Sequence, residues 1–137
     1  MARERRVLLV EDDHKTAQDY LEQLRRDGVP VEHVRTIEDA DRFVRERHPV
    51  LVVIRARLSE GRGRQLIAGW AAEDTLADIP VWILAGEPSE ASEWWHQAGN
   101  VLRCFEKGRV LPGRLSQEIR ATLGLPYGDR FLNRRAN

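Results

Sequence analysis

The stretch Arg5-Arg-Val-Leu-Leu-Val-Glu-Asp-Asp13 runs four apolar residues, Val7 to Val10, straight into three acids. That run is too short for a buried helix and too uniform for a strand with one wet face. It fits a central strand of a parallel sheet, covered by helices on both sides. Glu11, Asp12 and Asp13 then fall just past the strand's carboxyl end, the edge at which open α/β sheets bind ligands. Acids gathered there repel one another, so a metal ion or basic side chains must offset them.

Outward from this strand, the chain alternates. Ala17, Tyr20, Leu21 and Leu24 recur at helical spacing, and Asp27-Gly28 ends the helix. Val29–Arg35 reads as a short strand, with Pro30 near its start suited to a sheet edge. Thr36 fits an N-cap, with Asp39 three residues on and Ile37, Ala40, Phe43 and Val44 facing inward. His48-Pro49 breaks that helix. Val50–Ile54 is a second continuous apolar run, and it ends on Arg55. The loop Ala56–Gly63 precedes a helix from about Arg64, with Leu66, Ile67, Trp70 and Ala71 inward. Val81–Leu84 is a third buried strand, closed by Ala85-Gly86. Pro88 and Ser89 open a helix carrying Trp94 and Trp95 and stopping at Gly99. Val101–Phe105 makes a weaker strand, and Pro112 to Leu123 the last helix. Strand and helix alternating in this way imply a parallel sheet with right-handed crossovers.

With 137 residues, the chain suits one domain with a proper core. We divide it into a domain over residues 1–124 and a polar, basic tail over residues 125–137. Basic and acidic residues number 22 each, which argues against nucleic-acid binding as the main business. No apolar run approaches the roughly 20 residues of a membrane span. A single cysteine, Cys104, excludes an internal disulfide and fits a reducing cytosol.

These fragments, in this order, resemble the receiver domain of two-component response regulators over about Arg6 to Leu123. Val7–Asp13 resembles the family's opening strand and acid pair, His48–Gly63 its central strand and loop, Ile79–Ala85 its fourth strand, and Ala98–Lys107 its fifth. The resemblance implies a flavodoxin-like (βα)5 three-layer sandwich with strand order 2-1-3-4-5. It also places Glu11 and Asp12 where that family holds magnesium. The departures are as informative. Arg55 stands where the family has its phosphoacceptor aspartate. Ala85 stands at the switch hydroxyl and Cys104 at the switch aromatic. Lys107 keeps the family's lysine, but Gly108 replaces the proline after it.

A guanidinium that stays protonated cannot serve as the nucleophile that phosphorylation needs. A divalent cation about 5 Å from it meets roughly 6 kcal/mol of repulsion at an effective dielectric of 20. We therefore expect Arg55 to replace the ion, paired with Glu11 or Asp12 through a bidentate contact, and magnesium binding to be weak or absent. The expected function is a phosphorylation-independent receiver working through signalling partners, a histidine kinase or output protein, or as a homodimer. An anion or small-molecule sensor at the strand-end crevice, and phosphorylation at Asp12 or Asp13 instead, stay open as alternatives. No nucleophile–base constellation suggests an enzyme. His14, His33, His48 and His96 lack metal-ligand spacing and read as surface residues. Cys104 reads as a buried, inert thiol. Arg62 and Arg64 read as solvated surface, or alternatively as anion attractors beside the site. Trp94 and Trp95 point about 100° apart on a helix, so at least one is partly exposed and is an interface candidate.

Overall fold

The computed structural model describes residues 4–56, 58, 62–86, 99–106 and 111–124. Among them are five strands, β1 (Glu4–Val10), β2 (Val31–Val34), β3 (Pro49–Arg55), β4 (Val81–Ala85) and β5 (Val101–Glu106). Four helices accompany them: α1 (His14–Arg26), α2 (Ile37–Arg47), α3 (Gly63–Ala72) and α4 (Pro112–Leu123). All strand pairs are parallel and the sheet runs β2-β1-β3-β4-β5, the order expected for the flavodoxin-like fold. The expected helix of Trp94 and Trp95, His96, Lys107, Gly108 and the tail from Leu125 lie outside the described residues.

The apolar runs become inner strands because period-two alternation puts each neighbour on an opposite face, and here both faces are covered. Leu8, Val10, Val52, Ile54, Val81, Ile83 and Ala85 pack on one side with Ile37, Ala40 and Val44 of α2 and Ile67 and Trp70 of α3. Val7, Leu9, Leu51, Val53, Trp82 and Leu84 pack on the other with Tyr20, Leu21 and Leu24 of α1 and Leu115 and Ile119 of α4. Three layers result.

Polar contacts hold the helices in register with one another. Thr36 caps α2 by accepting from the Asp39 backbone N–H, as its spacing predicts. Trp70 donates its indole N–H to Asp41 at 2.9 Å, joining α3 to α2. Asp27 caps the end of α1, and Gly28 follows with φ of 79°. A left-handed residue just after a helix is where glycine is favoured. The Asp27 carboxylate accepts from Ser116 of α4 at 2.6 Å and from Gln23 at 2.9 Å.

Several boundaries differ from the sequence reading. β1 begins at Glu4, before its apolar run, and its register with β3 is irregular between Glu4 and Val7. β2 is shorter than expected, since Val29 and Pro30 precede the paired residues and Arg35 follows them. Phe43 and Leu66 pack against the core as expected while staying half-buried, and Ala71 is half-buried. On β5 the register slips between Val81 and Trp82, so Leu102 bulges from the edge strand with 56% of its surface exposed. A bulge of this kind disrupts an edge that would otherwise pair with another chain.

Candidate functional site

Glu11 follows the last residue of β1, and Val10 is level with Ile54 of β3 on one side and Val34 of β2 on the other. One residue further along each neighbour strand stand Arg55 and Arg35. Adjacent strands lie only about 4.8 Å apart, so the two arginines flank the acid from both sides.

The Glu11 side chain has no exposure, whereas Asp12 keeps 17% and Arg55 31%. Arg55 Nη1 donates to Glu11 Oε2 at 2.9 Å and to Asp12 Oδ1 at 3.4 Å. The expected pairing is therefore present, but its geometry is corrected. One nitrogen bridges two carboxylates, instead of a two-pronged fork closing on one of them. The reason is the sheet: Glu11 and Asp12 present one oxygen each towards the same guanidinium edge. Burial works against the Arg55 charge, but the Glu11 hydrogen bond and the charges of Glu11, Asp12 and Asp13 outweigh it. The guanidinium pKa is consequently raised above its ordinary value. Burial, with the Glu11 and Asp19 charges behind it, pushes the Tyr20 hydroxyl up to about 12.

Asp13 turns away from this pairing. It is the N-cap of α1, and its carboxylate accepts from Thr16 N–H at 2.9 Å and from the Thr16 hydroxyl at 2.6 Å. Its own N–H donates to Glu11 Oε2 at 3.1 Å. An aspartate three residues before a threonine, at the head of an apolar-periodic stretch, is a cap signal that the acid cluster obscured.

Two residues of the site escaped sequence reading. His33, expected at the surface, is half-buried, and its Nε2 lies 2.7 Å from the Glu11 carbonyl. A carbonyl only accepts, so Nε2 carries the proton. Arg35 Nη2 donates to the Asp12 carbonyl at 3.3 Å. The only available signal was their place at the end of a strand beside β1, which spacing of histidines alone does not register.

The remaining candidates divide. Ala85 is fully buried at the end of β4 and offers no hydroxyl. Cys104 is half-buried against the α2–α3 side of the core, more exposed than expected because β5 is an edge strand. Arg62 is exposed and donates to Glu38 at 3.1 Å, so it braces α2. Arg64 and His14 are exposed, while His48 is half-buried at the end of α2 with φ of 47°. Lys107, Trp94 and Trp95 lie outside the described residues.

A divalent cation does not fit this donor set. The oxygens that Glu11 and Asp12 turn towards β3 are shared with a cationic nitrogen. Among the described residues no group of three or more His, Cys, Asp or Glu side chains is arranged to hold a metal ion. Nor does any described helix have the length and apolarity to cross a membrane.

No protein-family model and no curated protein matches the chain. Solved structures do. The signal receiver domain of a signal transduction histidine kinase from Syntrophus aciditrophicus is 24% identical, with a TM-score of 0.73, covering 88% of this chain and 90% of that one. A sensor protein from Polaromonas sp. JS666 is 20% identical with a TM-score of 0.75, over 88% and 96% of the two chains. A two-component response regulator from Legionella pneumophila is 15% identical with a TM-score of 0.74, over 88% and 98%. Together with the strand order, these likenesses establish that the chain has the flavodoxin-like fold of receiver domains.

Proposed function

We propose that this chain is a receiver-type signalling module that works without phosphorylation, as a protein-interaction surface without catalytic activity. The observation that carries the reading is Arg55 Nη1, 2.9 Å from the buried Glu11 carboxylate and 3.4 Å from Asp12, at the strand end where the resemblance puts a phosphoacceptor. A guanidinium donates hydrogen bonds only and has no lone pair with which to attack phosphorus. Its charge neutralises the acids that would otherwise recruit magnesium. The buried methyl of Ala85 supports the same reading, because nothing at that position can reach for a phosphoryl oxygen.

Asp13 is a poor substitute nucleophile, since its carboxylate is taken up by Thr16. Asp12 would have to leave Arg55 to react. Partners are then signalling proteins or a second copy of the chain, and Trp94 and Trp95 are candidate contacts on the strength of their sequence spacing. The test is incubation with magnesium and a small phosphodonor, and in parallel with beryllofluoride. No acid-labile phosphate and no spectral change are expected. Stoichiometric phosphate on Asp12 or Asp13 would replace this reading with one of a receiver rescued at a displaced acid.

A further inference from the structure

The misfit between the acid pair and a divalent cation runs deeper than Arg55. The carboxylates of Glu11 and Asp12 face β3, but their peptide carbonyls face the other neighbour, β2. His33 Nε2–H donates to the Glu11 carbonyl at 2.7 Å, and Arg35 Nη2 donates to the Asp12 carbonyl at 3.3 Å. The Glu11 N–H in turn donates to the Val34 carbonyl at 3.1 Å. The acid segment is thus stitched to β2 through its backbone and to β3 through its side chains.

We propose that cation exclusion at this site is shared between two arginines at two strand ends, Arg55 on the carboxylates and Arg35 on the backbone of Asp12. The inference rests on the phosphorylation-independent reading and extends it. Arg35 acts as a positioning residue in two ways. It pins the Asp12 peptide on the β2 side, which fixes where the Asp12 carboxylate sits beside Arg55. It also adds a second positive charge beside the same acids. Arg35 is exposed and its field is partly screened, so its share is smaller than that of Arg55. His33 fixes the neighbouring carbonyl through Nε2–H and contributes geometry.

Removing Arg55 alone should therefore leave a site that still resists magnesium. The experiment is calorimetric titration of the whole chain with magnesium chloride at fixed ionic strength. The proteins compared are the parent, Arg55→Gln, Arg55→Gln/Arg35→Ala and Arg55→Gln/Arg35→Lys. Glutamine keeps a hydrogen-bond donor for Glu11 while removing the charge. If that variant fails to fold, the same Arg35 changes are made beside Arg55→Asp. The expected order is no saturable binding in the parent, weak binding in Arg55→Gln, and about fivefold tighter binding once Arg35 is alanine. Lysine at position 35 keeps the charge and should hold affinity near that of Arg55→Gln.

Equal affinity, within twofold, for Arg55→Gln and its Arg35→Ala derivative would overturn the proposal and leave Arg35 as a surface brace. Saturable magnesium binding by the parent would overturn the proposal as well, whereas failure of the phosphorylation-independent reading itself is read separately, as acid-labile phosphate on the parent.

Discussion

Replacing Arg55 by alanine tests whether the site is a structural lock, and its cost follows from the geometry. At 2.9 Å from Glu11 Oε2, the pair's gross attraction is about 6 kcal/mol at an effective dielectric of 20. That attraction offsets the desolvation of a carboxylate with no exposure, a penalty of several kcal/mol per ion. Removing the cation leaves the penalty uncompensated, and breaking buried pairs in this way costs about 3–5 kcal/mol. Two features reduce it here. Arg55 is 31% exposed, so water can enter its place, and the Asp13 N–H still serves Glu11. The expected loss is about 2–3 kcal/mol. With a urea slope of about 1.5 kcal/mol per M, the unfolding midpoint falls by about 1–2 M. Far-ultraviolet circular dichroism in urea measures this directly. The double variant Glu11→Gln/Arg55→Met should recover most of the loss, because it strands no charge. A midpoint unchanged beyond the roughly 0.5 kcal/mol of an ordinary surface substitution would refute the lock.

Two further predictions use the titrating groups. Burial opposes ionisation of Asp27, but its bonds to Ser116 and Gln23 and the charges of Arg120 and Arg26 prevail and lower its pKa. A carboxyl depressed in the folded state stabilises above its unfolded pKa and loses that contribution as pH falls through the folded one. Asp27→Asn should thus be less stable than the parent at pH 7, with the gap closing below about pH 4. A gap independent of pH would show that the Asp27 charge is not what joins α1 to α4. Tyr20, pushed up to about 12, has the opposite sign. Its contribution is intact below the unfolded value of about 10 and is lost as pH rises from there towards 12. In a Tyr127→Phe background, absorbance at the tyrosinate band should report Tyr20 titrating together with alkaline unfolding. Titration near 10 with the fold intact would show that burial and Glu11 do not control it.

How much of this was legible in the sequence depended on whether the cause was local. The inner strands were, because a run such as Val50–Ile54 is apolar on both faces only when helices cover both. Thr36 was legible for the same kind of reason, since a cap and its N–H lie three residues apart in one chain. Arg55 beside the acid pair was legible only through the resemblance, which supplied the alignment of β3 against β1. The single-nitrogen bridge was not, as it depends on where two carboxylates and a rotamer meet in space. His33 and Arg35 were missed because their partners lie 22 and 23 residues away, on the far side of α1.

Yet the strand ends contain the information once the register is known. Val10, Val34 and Ile54 are level in three adjacent strands, and the next residues are Glu11, Arg35 and Arg55. A buried acid between two arginines at the same level is a charge pattern set by the sheet. No stretch of chain contains it. It also gives the acids a role that needs no metal. With Arg35 and Arg55 fixed at the ends of neighbouring strands, neutral residues at 11 and 12 would leave two cations facing each other across β1. The acids and the arginines stabilise one another, so losing either half exposes the other. The variant Glu11→Gln/Asp12→Asn should accordingly be less stable than the parent and regain stability in added salt, which screens the stranded guanidinium groups. If salt shifts both proteins equally, the arginines do not depend on the acids, and the pattern is a coincidence of strand ends.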